Sequence, residues 1–305
     1  MPTKIQWADE TWNPITGCSK ISDGCKNCYA ERMAKRLAGR FGYPADEPFR
    51  PTLHPDRLND PRKWKKHRRV FVCSMSDLFH EEVPNEWRIK VFNAMATDIF
   101  LPCKHTYLIL TKRPENMKRF FDLNTKVGDP VPWPNVWLGV TAENQEQYDK
   151  RIPLLLQIPA AVRFVSIEPM LGPIDVKKWL FHDDCDHYDC DGDCPVGLNP
   201  PFAGIDWVIC GGESGPGARP VHPDWVRSLR DQCQAAGVPF FFKQWGEWIT
   251  KDKSRPNDEI WPSFKKSHCW NPKLSGMYKR DWAYCVGKKA AGRLLDGREW
   301  SEYPK

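Results

Sequence analysis

Val136-Trp137-Leu138-Gly139-Val140 is an apolar run, followed by helical spacing over residues 143–156 and then by a second run, Arg163-Phe164-Val165-Ser166-Ile167. Strand, helix and strand in that order make a crossover unit. The runs are nearly continuous rather than alternating, as expected of strands buried on both faces of a parallel sheet. Outward from this unit the pattern repeats. Further runs lie at 12–15, 70–73, 107–110, 207–210 and 239–242, and helical stretches at 29–38, 85–99, 114–121 and 223–236, the last stopping at Gly237. Seven strands separated by helices predict an α/β fold, read as a parallel β/α barrel, full or partial, rather than an open doubly wound sheet. The barrel takes residues 1–243 with insertions at 41–69 and 177–205. Residues 244–305, rich in Trp, form a small irregular C-terminal subdomain lying across the mouth or the open side.

The 305-residue chain is 41% hydrophobic and 28% charged, the balance of a globular protein with a real core. No basic stretch leads into an apolar run at the N-terminus, and nowhere do about 18 apolar residues run together, so neither export nor a membrane is expected. The expected compartment is the cytoplasm. There, 12 Cys point to metal rather than to a disulfide framework. The net charge of +6 allows an acidic or nucleic-acid partner and equally an ordinary soluble surface.

Polar and charged residues stand directly after the apolar runs. They are Ser74, Ser76 and Asp77; Thr111, Lys112 and Arg113; Thr141, Glu143 and Asn144; Glu168; Glu213 and Ser214; and Lys243 and Gln244. In parallel β/α proteins these positions converge on the C-terminal mouth, where active sites are built. Helix capping accounts for Ser76 or Thr141. It accounts poorly for Lys112, Arg113, Glu168 and Lys243.

Between the first strand and the first helix, Cys18, Cys25 and Cys28 stand in a C-x6-C-x2-C arrangement, with Gly17 and Gly24 directly before two of them. Glycines allow the positive φ that a tight cage demands. Three thiols without a nearby His leave a structural zinc one ligand short but suit a cubane with one open iron. A zinc site borrowing a distant fourth ligand is the alternative.

This loop, after a first strand and leading straight into a helix, resembles the cluster loop of radical S-adenosylmethionine enzymes, whose fold is a full or partial β/α barrel. More closely, the chain resembles an uncharacterised phage-associated family known chiefly by its three-cysteine motif, over residues 11–30, 111–114, 166–173, 211–220, 241–246 and 286–297. The radical enzymes usually space their cysteines C-x3-C-x2-C with an aromatic before the third. Here the first gap is six, Asn27 holds that place, and Tyr29 comes after it. The resemblance implies a 4Fe-4S cluster on Cys18, Cys25 and Cys28, S-adenosylmethionine on the open iron, and an electron donor. A 5'-deoxyadenosyl radical would then take hydrogen from a substrate, with a nucleotide or nucleic-acid base suggested by the phage association. It also implies a separate three-cysteine-motif partner protein. Ser76, Asp77, Lys112, Arg113, Glu168, Gly211, Gly212 and Glu213 are the candidates for holding cofactor and substrate. The superfamily's Gly-Gly-Glu stretch comes after its second strand, whereas Gly211-Gly212-Glu213 here comes after the sixth. The alternative readings are a non-catalytic zinc-containing nucleic-acid-binding protein and an iron-sulfur electron carrier.

A second cluster lies between the fifth and sixth strands. Cys185, His187, Cys190 and Cys194 in an acidic segment form a candidate second site for zinc or an auxiliary cluster. In the 41–69 insertion, Lys63, Lys65, Lys66, Arg68 and Arg69 surround Trp64. Such a run fits phosphates and a stacked base, or simply a solvated face.

Overall fold

The computed structural model describes residues 3, 5–98, 105–125, 133–180, 204–250, 266–269 and 282–304. Seven strands form one parallel sheet, β1 (Glu10–Trp12), β4 (Arg69–Val72), β5 (Thr106–Thr111), β6 (Val136–Thr141), β7 (Val162–Ile167), β8 (Trp207–Gly211) and β9 (Phe240–Gln244), in that spatial order. Strands in chain order within one curled parallel sheet make a half-barrel, open between β1 and β9. The helices α1 (Tyr29–Leu37), α2 (Asn85–Asp98), α3 (Pro114–Asn124), α4 (Gln145–Leu156) and α5 (Pro223–Ala235) lie in the β1–β4, β4–β5, β5–β6, β6–β7 and β8–β9 crossovers. Gly237 takes φ +64° just past α5, the left-handed stop its sequence announces.

The period of two along each strand sorts the core into two layers. Val72, Ile109, Leu138, Val165, Val208 and Phe242 face the helices and join the large buried cluster. Leu108, Phe164, Trp207, Ile209 and Phe241 face the concave side, where Trp7 closes the bottom and Tyr303 packs against them. The concavity is therefore filled from below. Charged side chains follow the strands at its upper end, while at the lower end Arg69 stacks on the Tyr303 ring and pairs with Asp9.

The first strand differs from its expected position. Asn13-Pro14 ends it early, because Pro14 has no N–H to extend a ladder. Ile15–Thr16 then forms a separate strand, β2, paired antiparallel with β3 (Thr52–Leu53) of the insertion. The C-terminal segment adds a small antiparallel sheet of β10 (Trp248–Thr250), β11 (Ser267–Cys269) and β12 (Trp282–Cys285), and a short helix, α6 (Lys288–Ala291). Its last residues return to the exposed edge of β9. The Phe242 N–H donates to the Trp300 carbonyl, the Glu302 N–H donates to the Phe240 carbonyl, and Trp207 donates its indole N–H to the Glu302 carbonyl at 2.8 Å. Among the described residues no helix is long and apolar enough to cross a membrane.

Candidate functional site

The three-cysteine loop leaves the C-terminal side of β1 and is braced first by backbone. The Asn13 side chain accepts from the Met75 N–H at 2.9 Å. The Gly17 N–H donates to the Met75 carbonyl, and the Cys18 N–H to the Phe49 carbonyl, both at 3.0 Å. Gly17 has φ +87°, and a Cβ there would lie 2.1 Å from the Arg50 carbonyl oxygen. Only glycine fits. The 41–69 insertion therefore supports the loop. Buried His54 meets the Thr16 hydroxyl at 2.8 Å, and Trp12 donates its indole N–H to the Arg57 carbonyl at 2.8 Å. Trp64 packs partly buried against the core and edge-on to His105, which takes it out of a stacking role.

Charged side chains from three strand ends complete the brace. After β5, buried Arg113 donates through Nη2 to the Ser19 carbonyl at 3.1 Å and hydroxyl at 2.9 Å, and through Nη1 to the Cys18 sulfur at 3.4 Å. Asp77 lies 3.4 Å from that guanidinium and accepts the Thr111 hydroxyl and the Lys112 N–H. After β6, the fully buried carboxylate of Glu143 accepts the Gly24 N–H at 3.1 Å and pairs with Arg151 at 2.9 Å. After β8, Glu213 accepts from Arg219 at 2.7 Å and from the Asn27 amide at 3.0 Å, while Arg219 also reaches the Asp23 carbonyl at 2.9 Å. Burial alone would raise the carboxyls of Glu143 and Glu213. Hydrogen bonds from Ser22 and Gly24 with the charge of Arg151, and from Arg219 and Asn27, hold both below the ordinary carboxylate range.

Cys18, Cys25 and Cys28 are half-buried free thiols, with Cys28 at the N-cap of α1. Burial, then Asp77, pushes the Cys18 thiol up to about 11 against the pull of Arg113. A nucleophilic cysteine wants the opposite shift. Among the described residues no three or more His, Cys, Asp or Glu side chains gather tightly enough for a single metal ion. A cubane spreads its thiolates over separate irons.

The other mouth residues divide. The Ser76 hydroxyl donates to the Ile15 carbonyl at 2.9 Å. Gly212 is dictated by packing, since a Cβ there would lie 2.0 Å from the Trp245 carbonyl oxygen. Lys112 is half-buried above Leu110 on β5, and its ammonium has no partner among the described residues. Glu168 and Lys243 pair at 2.8 Å beside Gly211. The second cluster, Cys185, His187, Cys190 and Cys194, lies outside the described residues.

A family model described as a protein of unknown function, DUF5131, matches residues 2–304. The chain belongs to the DUF5131 family. No curated protein and no solved structure matches it.

Of the residues expected at the mouth of this DUF5131 chain, Asp77, Arg113 and Glu213 work on the loop and its framework, and Lys112, Glu168 and Gly211 stand clear of it. Sequence reading missed Ser19, Asn27, Arg151 and Arg219 as loop-holding groups. Arg151 had a signal. It sits with Tyr148, Ile152 and Leu155 on the buried stripe of α4, and an arginine on such a stripe demands a buried acid.

Proposed function

We propose that the chain is an iron-sulfur enzyme of the radical S-adenosylmethionine type, with Cys18, Cys25 and Cys28 holding a 4Fe-4S cluster at the mouth of the half-barrel. One observation carries the reading. Buried or nearly buried charges from three strand ends, Arg113, Glu143 and Glu213, are all committed to fixing a short loop whose distinctive content is three thiols. Burying charge is costly, and an incidental loop does not need it. The donor set fits the group, since three cysteines complete three corners of a cubane and leave one iron open.

The chemistry supplied by such a cluster with S-adenosylmethionine is a 5'-deoxyadenosyl radical that abstracts hydrogen. The chain's own residues position and shield. Arg113 directs an N–H at the Cys18 sulfur, the kind of contact that tunes a cluster's potential. Glu143 sets the backbone before Cys25, and the Asn27–Glu213–Arg219 group sets the backbone before Cys28. Because Glu213 is satisfied by these partners, Lys112 and the Glu168–Lys243 pair are the charged groups of the mouth, among the described residues, that do not hold the loop. The apolar concave wall of Phe164, Ile209 and Phe241 keeps water from below. The substrate on this reading is a nucleotide or nucleic-acid base, and an external donor supplies the electron.

Anaerobic reconstitution with iron and sulfide tests the reading. The expected result is about four irons and four sulfides per chain, in line with a single cubane, lost on Cys18→Ala, Cys25→Ala or Cys28→Ala. Zinc alone, or iron bound equally well by those variants, overturns it.

A further inference from the structure

Residues 54–69 hold seven Lys and Arg against two Asp, a net +5 where the whole chain carries +6. Outside this stretch the protein is close to neutral. Part of the charge serves the fold, since Arg57 donates to the Asn13 and Phe41 carbonyls, Lys63 pairs with Asp60, and Arg69 pairs with Asp9. The rest faces outward. Arg62, Lys65 and Lys66 are exposed, and the side chains of Arg62 and Lys66 have no partner among the described residues.

A second element extends the patch. The 3-10 turn Asp60–Lys63 and the chain before it lie against α2, and an open groove of about 270 Å³ runs between them. Half-buried Leu58 and Ala94 line it together with exposed Asn59, Arg62, Lys90 and Asn93, and no carboxylate lines it. Lys90 holds its ammonium 5.6 Å from the centre of the Trp87 ring and has no anionic partner among the described residues. Two cations thus stand on one groove without neutralisation. Like charges gathered in this way repel and cost stability, so the fold itself does not call for them.

We infer that this flank is a docking surface for the phosphate backbone of a nucleic-acid duplex. Charge complementarity selects a polyanion. The exposed cations succeed one another along residues 62–66 and continue onto α2 at Lys90, an arrangement that meets a row of phosphates rather than one. Single-strand sites interleave stacking aromatics with their cations, whereas the aromatic of this patch, Trp64, is packed edge-on to His105. A duplex held by its backbone needs no such ring, and contacts of that kind position it without reading its sequence. The surface requires no cluster, and it bears on the proposed function only in making the substrate base part of a polymer.

The test is fluorescence anisotropy of a labelled DNA duplex of about 20 base pairs, titrated with the full chain over a salt series, before and after cluster reconstitution. Saturable binding with a Kd of about 1–100 μM near physiological salt is expected, log K falling linearly with log salt. The triple variant Arg62→Gln, Lys66→Gln, Lys90→Gln should bind more weakly and flatten that slope by about 2.7, at about 0.9 for each lost phosphate contact. A control triple of equal charge loss elsewhere, Lys150→Gln, Lys177→Gln, Lys289→Gln, should keep the wild-type slope. All six side chains are exposed. No saturable duplex binding at low salt, tighter binding of the corresponding single strand, or equal flattening by the two triples overturns the inference. The comparison of duplex with single strand needs no variant to fold. Patch-dependent duplex binding by a chain that forms no cluster would keep this surface and remove the radical reading, whereas a cluster in a chain that binds no duplex would do the opposite.

Discussion

The buried carboxylate of Glu143 accepts the backbone N–H of Gly24 at 3.1 Å, across 119 residues of sequence, while Arg151 holds its other oxygen at 2.9 Å. A strand end thereby sets the conformation of the loop residue directly before Cys25. Removing one member of such a pair leaves the other charge buried and alone. Glu143→Leu should cost about 3–5 kcal/mol in urea unfolding, and the double change with Arg151→Met much less. Equal losses from both would mean the pair does not act as a unit.

Gly17 and Gly237 both have positive φ, +87° and +64°, but differ in what surrounds them. A Cβ on Gly237 meets nothing within 4 Å, so Gly237→Ala should cost only the left-handed penalty, about 1–2 kcal/mol. At Gly17 the new methyl would overlap the Arg50 carbonyl, and Gly17→Ala should cost more than about 3 kcal/mol. Chemical denaturation of the two variants makes the comparison.

His54 gives the brace a pH limit. Burial, with Arg57 nearby, lowers its pKa from 6.5 to about 4, so the folded protein prefers the neutral ring. The unfolded chain takes up the proton first. Stability from this group is complete above pH 6.5, falls as pH drops from 6.5 towards 4, and levels off below, with a total of up to about 3 kcal/mol. Melting temperatures over that range should fall less steeply for His54→Gln than for the wild type. Parallel pH profiles would contradict this origin.

Trp300 and the residues after it cover the edge of β9 and the Trp207 ring, which stands 5.2 Å from Tyr303. Truncation after Glu299 should expose both, lowering stability by about 3 kcal/mol or more and causing self-association through the free edge. Light scattering of the truncated chain reads the association. A monomer of unchanged melting temperature would show that the tail does not seal the sheet.

The strands were legible because burial on both faces leaves a continuous apolar run, as in Val136–Thr141, and their C-terminal ends were legible because charge appears where the run stops. The first strand was misplaced because Trp12 and Ile15 look continuous, although Pro14 between them breaks the ladder. Partners were not legible at all. Arg113 reads as a ligand-binding cation and Glu213 as part of a cofactor motif, yet each also hydrogen-bonds a loop more than 90 residues earlier. Only tertiary structure brings Ser19 to Arg113 and Asn27 to Glu213.

Electron paramagnetic resonance of the reconstituted, reduced protein is the decisive measurement for a cluster on Cys18, Cys25 and Cys28 with an open iron. The expected result is a 4Fe-4S signal that changes when S-adenosylmethionine is added and is absent from Cys25→Ala. A signal indifferent to S-adenosylmethionine, or a protein that takes up only zinc, would contradict it.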